Sequence, residues 1–342
     1  MNLKRPAPTL YDVAVAAGVS TATVSRCMNF PNQVAKNTHQ KVMAAIKDLG
    51  YSPNFGAKAM AARRTNTIGA IIPTMENAMF ARGLEAFQKE LRLHGFTMLV
   101  ASTSYRPDVE EEQIRSLVAR GADALLLIGH EREADIYRFL ETQGVPSLIT
   151  WVFDEKITQP SVGFDNRVAM MEMTMKVIEF GHTRLAFISA ITSKNDRATA
   201  RLDGIKDAMK SAGLNTNDLC CIETNYGIDE GAKAFDSLMG KRPRPTAILC
   251  GNDVLAVGAL RRARELKIAI PQDVSIIGFD DIELAQVAYP SLTTVRVPHR
   301  DMGRSAGHIL ADHVKNGTPL KSLQLKTEIV LRETLAPVKI FL

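Results

Sequence analysis

Four residues near the start of the chain combine small or short polar side chains with one long cation. If residues 21–28 form a helix, its outer side carries Thr21, Ala22, Ser25 and Arg26. Such a surface can press closely against base edges while the guanidinium reaches a phosphate oxygen. The pattern therefore indicates hydrogen bonding to nucleic acid rather than bond-breaking chemistry.

The flanking residues predict two short helices that would position this face. Thr9 and Asp12 have the spacing of a capping box at the start of the first helix. Gly18 supplies a tight turn, and Ser20 can cap the second helix, whose inner side carries Val24. This spacing is typical of a helix-turn-helix unit, which places its second helix in a DNA major groove. An ordinary pair of packed helices is the alternative.

The positive charge of the chain is concentrated in the same region. The 342 residues have a formal net charge of +5. Residues 1–64 hold nine Lys and Arg against two Asp, a net of +7, which leaves −2 for the other 278 residues. A cationic first segment can neutralise phosphates and release counterions, which favours nucleic acid as the partner. A basic surface without a partner is the alternative.

Eight segments spread over nearly the whole chain carry recognisable motifs. They are TLYDVAVAAGVSTATVSRCMN, KVMAAIKDLGYSPN, TNTIGAIIP, VGFDN, GHTRLAFIS, CGNDVLAVGAL, IPQDVSIIGFDD and SLTTVRVP. Together they resemble the LacI/GalR family of transcription regulators. The resemblance implies a cytoplasmic repressor that binds a palindromic double-stranded DNA operator as a homodimer or tetramer and responds to a small, carbohydrate-related effector.

The resemblance also implies the division of the chain. Residues 1–51 would form the helix-turn-helix DNA-binding domain, 52–64 a hinge helix or linker, and 65–342 the effector-binding and dimerisation core. The core would be built like periplasmic binding proteins. Its N-terminal subdomain would comprise about 65–161 and 292–318, and its C-terminal subdomain about 162–291 and 319–342.

Further DNA contacts are expected beyond the second helix. A third amphipathic helix ends at Gly50, and we expect Asn37 to cap its start, which would place Lys36 near a phosphate. In the hinge, the resemblance assigns DNA contacts to Ala57, Lys58 and Met60, with the methionine wedged into the minor groove. A flexible linker is the alternative for this segment.

After residue 65, short apolar segments alternate with amphipathic ones. We predict strands at 68–73, 97–101, 124–128, 147–150, 185–189, 247–250 and 275–279. We predict helices near 80–94, 109–120, 133–143, 167–180, 199–212, 229–239, 253–266 and 301–314. This alternation predicts an α/β fold in which two parallel sheets carry helices on both faces.

Polar and aromatic residues follow several of these strands. Ligands of open α/β sheets gather outside the carboxyl ends of the strands, so the candidates for effector binding lie in those loops. They are Met79, Phe80, Trp151, Asn195, Arg197, Arg201, Asn252 and Asp280. The family resemblance implies effector contacts for Arg201, Asp280 and Asn252. Trp151 stands at a position where the family frequently has an aspartate.

Structural roles are the alternatives for these candidates. Asp253 and Asp280 could cap helices, and Phe80 could belong to the core. The pair Arg197 and Arg201 raises the hypothesis that the effector carries an anionic group such as the carboxylate of a sugar acid.

Other functions receive little support from the sequence. The motif GRSAG, residues 303–307, matches a nucleophile elbow but lies inside a predicted helix. Phosphate-loop, dinucleotide and zinc-helix motifs are absent, and the histidines show no metal spacing. We therefore expect no enzyme activity, catalytic residue, cofactor or metal.

The four cysteines are expected to be reduced, and we expect neither a secretory signal nor a membrane partner. A solute-binding receptor without DNA function is the alternative.

Overall fold

The computed structural model describes residues 7–52 and 64–338. The chain divides into two compact units after Thr65. In the described ranges, the helices are α1 (Leu10–Ala17), α2 (Thr21–Asn29), α3 (Lys36–Leu49), α4 (Ala78–Leu93), α5 (Pro107–Ala119), α6 (Ala134–Gln143), α7 (Asn166–Glu179), α8 (Asp196–Ser211), α9 (Ile228–Met239), α10 (Asp253–Glu265), α11 (Glu283–Val287) and α12 (His299–Asn316). The strands are β1 (Thr67–Ile72), β2 (Thr97–Ser102), β3 (Ala124–Ile128), β4 (Ser147–Thr150), β5 (Ser161–Gly163), β6 (Leu185–Ala190), β7 (Cys220–Thr224), β8 (Ala247–Cys250), β9 (Ser275–Ile277), β10 (Thr294–Arg296), β11 (Leu323–Gln324) and β12 (Glu328–Val330).

The first unit is built from α1, α2 and α3 around a small apolar core. Val13, Val24 and Val42 are fully buried, one from each helix, and Cys27 lies beside them. The predicted cap of α3 was wrong. The helix begins at Lys36, and its N-cap residue Ala35 provides no side-chain hydrogen bond. The polar residues around position 37 therefore do not decide where the helix starts.

The second unit contains two parallel sheets, as the sequence predicted. One has the strand order β11-β5-β4-β3-β1-β2 and the other β7-β6-β8-β9. In β1, Ile68 and Ile72 point into the core covered by α4 and α12, whereas Ile71 points into the core with α5 and α6. Both faces of the sheet are therefore packed, which explains why its strands are continuously apolar.

The strand pairing departs from the expected subdomain boundaries at two places. Strand β11 pairs with β5 in the first sheet, although residues 319–342 were assigned to the second subdomain. Residues 293–296, which include β10, run beside the end of β9 and the residues that follow it, because Gly278 N donates to Thr293 O at 2.9 Å and Asp280 N donates to Val295 O at 2.8 Å. These pairings are long-range, and strands of two or three residues have too little periodicity to reveal them.

Helices α4 and α12 pack very closely. The motif residues Gly303 and Gly307 lie inside α12, as predicted for GRSAG. A Cβ at Gly303 would overlap the carbonyl oxygen of Gly83, and one at Gly307 would lie 2.9 Å from Cβ of Glu90. The two glycines of α12 therefore allow the helices to approach and take no part in a nucleophile elbow.

Candidate functional site

The helix-turn-helix geometry at the start of the chain follows the sequence prediction. Thr9 Oγ1 accepts a hydrogen bond from Asp12 N at 3.3 Å, and the Asp12 carboxylate accepts one from Thr9 N at 2.8 Å. These bonds hold the pKa of Asp12 below its usual range. Gly18 ends α1 in the left-handed conformation, with φ of 67°. The capping box and the glycine turn are both confirmed.

The second helix presents the predicted outer face. Ser20 Oγ accepts a hydrogen bond from Thr23 N at 3.1 Å and so caps α2. Thr21, Ala22 and Arg26 are exposed and Ser25 is half-buried, while the inner side of the helix is buried. Small side chains on this face leave the helix backbone open to close approach by base edges.

Of the remaining candidates for DNA contact, the structure describes only Lys36. Lys36 is exposed at the first turn of α3, where the unpaired backbone N–H groups and the ammonium can both attract a phosphate. Ala57, Lys58 and Met60 lie outside the described residues. Their proposed DNA contacts stay predictions.

In the second unit, the carboxyl ends of both sheets open onto a cavity of about 510 Å³. Its lining combines hydroxyl, amide and phenol groups from both sides with the charged Glu76 and Lys194 and with apolar surface such as Ile191 and Val254. The first sheet contributes Thr74, Asn77, Ser104 and Tyr105, and the second contributes Asn195, Thr224, Asn225 and Tyr226. Of the eight predicted effector residues, Asn195 lines this cavity directly and also caps α8 by accepting from Ala198 N at 3.3 Å.

Arg201 lies behind the cavity wall and is almost fully buried. Its Nη2 donates to the hydroxyl of Tyr226 at 2.9 Å, and its Nη1 donates to Asn166 Oδ1 at 2.6 Å. The guanidinium lies 5.0 Å from the ring centroid of Phe279. Its Nε has no hydrogen-bond partner among the described residues. A buried guanidinium held by neutral partners retains the capacity to donate to a ligand oxygen.

Trp151 packs in the apolar core next to this network. Its indole is 2% exposed, stacks on His299 and lies 5.2 Å from the ring of Phe80. Asn166 Nδ2 donates to the backbone carbonyl of Trp151 at 3.0 Å, which connects the main chain at Trp151 to Arg201 through Asn166. Met79 and Phe80 are buried in the same apolar cluster. Phe80 is therefore a core residue, which was the alternative to effector binding.

Asp280 completes the buried network from the second sheet. Its Oδ1 lies 3.8 Å from His299 Nε2. Burial, reinforced by the nearby carboxylate of Asp253, raises the pKa of Asp280 well above its usual range, against the opposing charges of Arg201 and Arg82. Burial together with the charge of Arg82 lowers the pKa of His299 to about 3. The site therefore favours neutral forms of both groups.

The capping roles considered for the aspartates were wrong. Asn252 caps α10 by accepting from Leu255 N at 2.9 Å, and its Nδ2 has no partner among the described residues. Asp253 instead accepts from Ile282 N at 2.8 Å and from Thr294 Oγ1 at 2.6 Å. Burial raises the pKa of Asp253 to about 7 despite these bonds. Asp280 lies before α11, whose N-cap residue is Ile282.

Arg197 is directed to a different neighbour from Arg201. Its Nη1 donates to Asp196 Oδ1 at 2.7 Å, so its charge is neutralised within α8. The same carboxylate accepts from His130 N at 2.6 Å, in the loop after β3. Lys194 reaches Glu133 at 2.8 Å nearby. These contacts join the first sheet's loop to the second sheet's helix, so Arg197 serves the contact between subdomains. The binding of an anion by Arg197 and Arg201 together stays a prediction.

Sequence reasoning missed four residues that organise the cavity. Tyr105 and Tyr226 face each other with ring centroids 5.6 Å apart, and Asn166 and His299 connect the predicted residues behind them. The tyrosines follow β2 and β7 at the carboxyl edge of each sheet, which was the available signal. Strand β7 was not predicted, so Tyr226 had no assigned place.

Comparisons with known proteins decide the family. Residues 9–54 match "Bacterial regulatory proteins, lacI family", and residues 175–335 match "Periplasmic binding protein-like domain". The HTH-type transcriptional repressor PurR of Vibrio vulnificus (strain CMCP6) is 31% identical over 328 residues, which cover 95% of this chain and 98% of that protein. The chain belongs to the LacI family.

Solved structures agree with this assignment. A LacI-family regulator from Silicibacter pomeroyi superimposes with a TM-score of 0.87 at 27% identity, covering 96% of this chain and 99% of the other. A complex of the regulator CelR with cellobiose has a TM-score of 0.69 at 29% identity, with the same coverage.

This LacI-family protein is a DNA-binding transcription regulator with a small-molecule effector site in its periplasmic-binding-like region. The expectation that it is not an enzyme is confirmed, since its relatives are transcription regulators. A solute-binding receptor without DNA function is set aside because the DNA-binding region is present. Within residues 7–52 and 64–338, no helix has the length and apolar character to cross a membrane.

Proposed function

We propose that this regulator is a cytoplasmic repressor that binds a palindromic operator as a homodimer or tetramer. Its outward-facing α2 surface, with Thr21, Ala22, Ser25 and Arg26, supports recognition of base edges in the major groove. Lys36 would hold a phosphate, and Ala57, Lys58 and Met60 would contact the minor groove between the two recognition helices. The names of relatives such as the repressor PurR support repression.

The effector is a small, hydroxylated, carbohydrate-related compound bound between the two subdomains of the core. The observation that carries this assignment is the cavity, to which both sheets contribute hydroxyls and amides and in which the rings of Tyr105 and Tyr226 meet. Hydroxyl and amide groups match the donors and acceptors of a polyol, and aromatic rings can pack on its apolar face. The CelR complex with cellobiose is a related case.

Each predicted effector residue has a place in this proposal. Asn195 contacts the ligand from the cavity wall, and Arg201 donates through its unpartnered Nε. Asn252 and Asp280, which are buried, would approach the ligand from the second sheet. Met79, Phe80 and Trp151, which share one apolar cluster, would form the apolar floor of the cleft. Arg197 acts by joining the subdomains through Asp196.

Effector binding would control the operator by changing the subdomain arrangement. The contacts of Asp196 with His130 and of Lys194 with Glu133 exist only while the subdomains are close. A ligand that prefers one arrangement shifts the population by its differential affinity, a coupling typically worth about 1–3 kcal/mol. The hinge segment would transmit this shift to the DNA-binding domain.

The fluorescence of Trp151, the only tryptophan in the sequence, offers a direct test. The full chain is titrated with neutral mono- and disaccharides and, separately, with aldonic acids. We expect saturable fluorescence changes with neutral sugars, and Arg201→Met should weaken binding about tenfold or more, the effect of losing a charge-assisted hydrogen bond. Arg138→Met, at an exposed arginine of α6, is the matched control.

The DNA side is tested with an operator selected from random duplexes. The bound sequence should be palindromic, and the sugar that binds should change its gel-shift affinity. If the chain binds the acids but no neutral sugar, the effector is anionic and the proposal of a neutral sugar is wrong. A sugar that binds without affecting the selected operator would contradict the proposed regulation.

A further inference from the structure

Three metal-binding side chains converge on the outer side of the α4 and α12 pair. Glu90 and His94 lie one turn apart at the end of α4, and His308 extends from α12. Glu90 Oε1 is 3.1 Å from His94 Nε2 and 3.6 Å from His308 Nδ1. All three donor atoms lie within 4.8 Å of one another. This grouping was not expected from the sequence, where His308 showed no metal spacing.

The separations suit a tetrahedral ion. Zinc bonds of about 2.0–2.1 Å place neighbouring tetrahedral ligands roughly 3.3 Å apart. The distances from Glu90 to the two histidines lie on either side of that value, so small rotamer adjustments would complete the site. Two imidazoles and one carboxylate favour zinc-like transition metals over magnesium or calcium, which prefer oxygen ligands.

The helix packing holds the ligands in place. Gly307 precedes His308, and a Cβ there would lie 2.9 Å from Cβ of Glu90. The missing side chain lets α12 approach Glu90 and brings His308 over its carboxylate. Glu90 is 16% exposed and His308 62% exposed, so the site has a fixed inner ligand and an outer side open to water.

A further carboxylate lies next to the cluster. Asp312 follows His308 by one helical turn, and its Oδ1 accepts a hydrogen bond from Asn316 Nδ2 at 2.6 Å. Hydrogen bonds from Thr318 and Asn316, with smaller contributions from His308 and His94, hold the pKa of Asp312 below its usual range. Its negative charge therefore favours a cation in this position.

We propose that Glu90, His94 and His308 bind one zinc-like divalent transition-metal ion, with water as the remaining ligand. The ion would join α4 to α12 across their glycine-mediated contact. Helix α4 begins next to Met79 and Phe80, and α12 begins at His299, which stacks on Trp151. The metal would thus stabilise the helix pair that supports the floor of the effector cleft.

Calorimetry with ZnCl₂ on the full, chelator-treated chain at pH 7.5 tests the site. We expect one ion per chain from this site, with affinity weakened more than tenfold in His94→Ala and in His308→Ala. His313→Ala is the control, because this α12 histidine instead faces Thr318 O at 2.7 Å. Zinc should raise the melting temperature of the wild type and of the control but not of the two ligand variants.

Cobalt substitution gives a readout independent of stability. Co²⁺ should show the visible bands of tetrahedral coordination in the wild type and lose them in Glu90→Gln, which preserves size and removes the charged ligand. Zinc affinity that is unchanged in the His94→Ala/His308→Ala double variant would overturn the proposal. Cys221 is an exposed free thiol that could bind zinc by itself. Loss of binding only in Cys221→Ser, or no binding at 100-fold excess of zinc over chain, would overturn the proposal equally.

Discussion

Replacing Gly129 by alanine should weaken the contact between the two subdomains of the core. Gly129 follows β3 with φ of 70°, and a Cβ there would overlap Arg197 Nη1 and approach Asp196 Oδ1 to 2.5 Å. The backbone N–H of His130 donates to the same carboxylate at 2.6 Å. The added methyl group must therefore displace the guanidinium of Arg197 and the carboxylate of Asp196, which breaks the bond between the loop and α8.

The structure provides a control for the backbone strain. Gly144 ends α6 with φ of 64°, and a Cβ there would meet nothing within 4 Å. Alanine in the left-handed region costs about 1–2 kcal/mol at either position. Gly129→Ala also loses the charge-assisted hydrogen bond to Asp196, worth about 1.5–3 kcal/mol. We expect a loss of about 2.5–5 kcal/mol for Gly129→Ala and of about 1–2 kcal/mol for Gly144→Ala.

Urea unfolding followed by the fluorescence of Trp151 measures both variants in the same core. The carboxylate is ionised in the folded state, because Arg197 and the hydrogen bonds from His130 outweigh the effect of burial and keep the pKa of Asp196 low. The bond lost is therefore a strong one. If the two glycine variants lost the same free energy of unfolding, the contact between the loop and α8 would contribute nothing, and the reasoning would be refuted.

Three further predictions concern the DNA-binding domain and the buried acids. Arg26→Ala should weaken duplex binding and reduce the slope of log affinity against log salt by about one, and an unchanged slope would remove Arg26 from the phosphate contacts. Ser20→Ala should destabilise the first unit by about 1 kcal/mol, measured by thermal unfolding, because α2 loses its cap; an unchanged transition would contradict that role. For Asp253, the folded pKa of about 7 lies above the ordinary 3.8, so this group's stabilising effect is lost as pH rises from 4 to 7. The unfolding free energy of Asp253→Asn relative to wild type should therefore increase over this window, and a constant difference in urea unfolding would contradict the buried proton.

The sequence was most informative where structure depends on neighbouring residues. The capping box of Thr9 and Asp12 and the left-handed Gly18 were both predicted, since each depends on contacts within a few residues. The predicted strands and helices of the core were found for the same reason, because buried strands are apolar and helices carry periodic faces. Where the local signal was weak, as at the start of α3, the prediction was wrong.

The candidate cleft was predicted only in part. Strand-exit loops identified Asn195, Arg201 and Asp280, but the sequence could not show that Arg197 turns to Asp196 while Arg201 turns to Tyr226. Both arginines lie on α8, four residues apart, but Arg197 pairs with its sequence neighbour, whereas the partners of Arg201 come from distant segments. The choice between them depends on packing that no local pattern encodes.

The sequence by itself determined helix α2 with its outward-facing small side chains, the concentration of positive charge before residue 65 and the alternation of strands and helices. These features follow from side-chain type and short-range spacing. Only the tertiary structure decided the contacts of Trp151 with His299, the pairing of β11 with β5 and the meeting of Glu90 with His308. Each joins residues more than 140 positions apart, and chain folding rather than local preference brings them together.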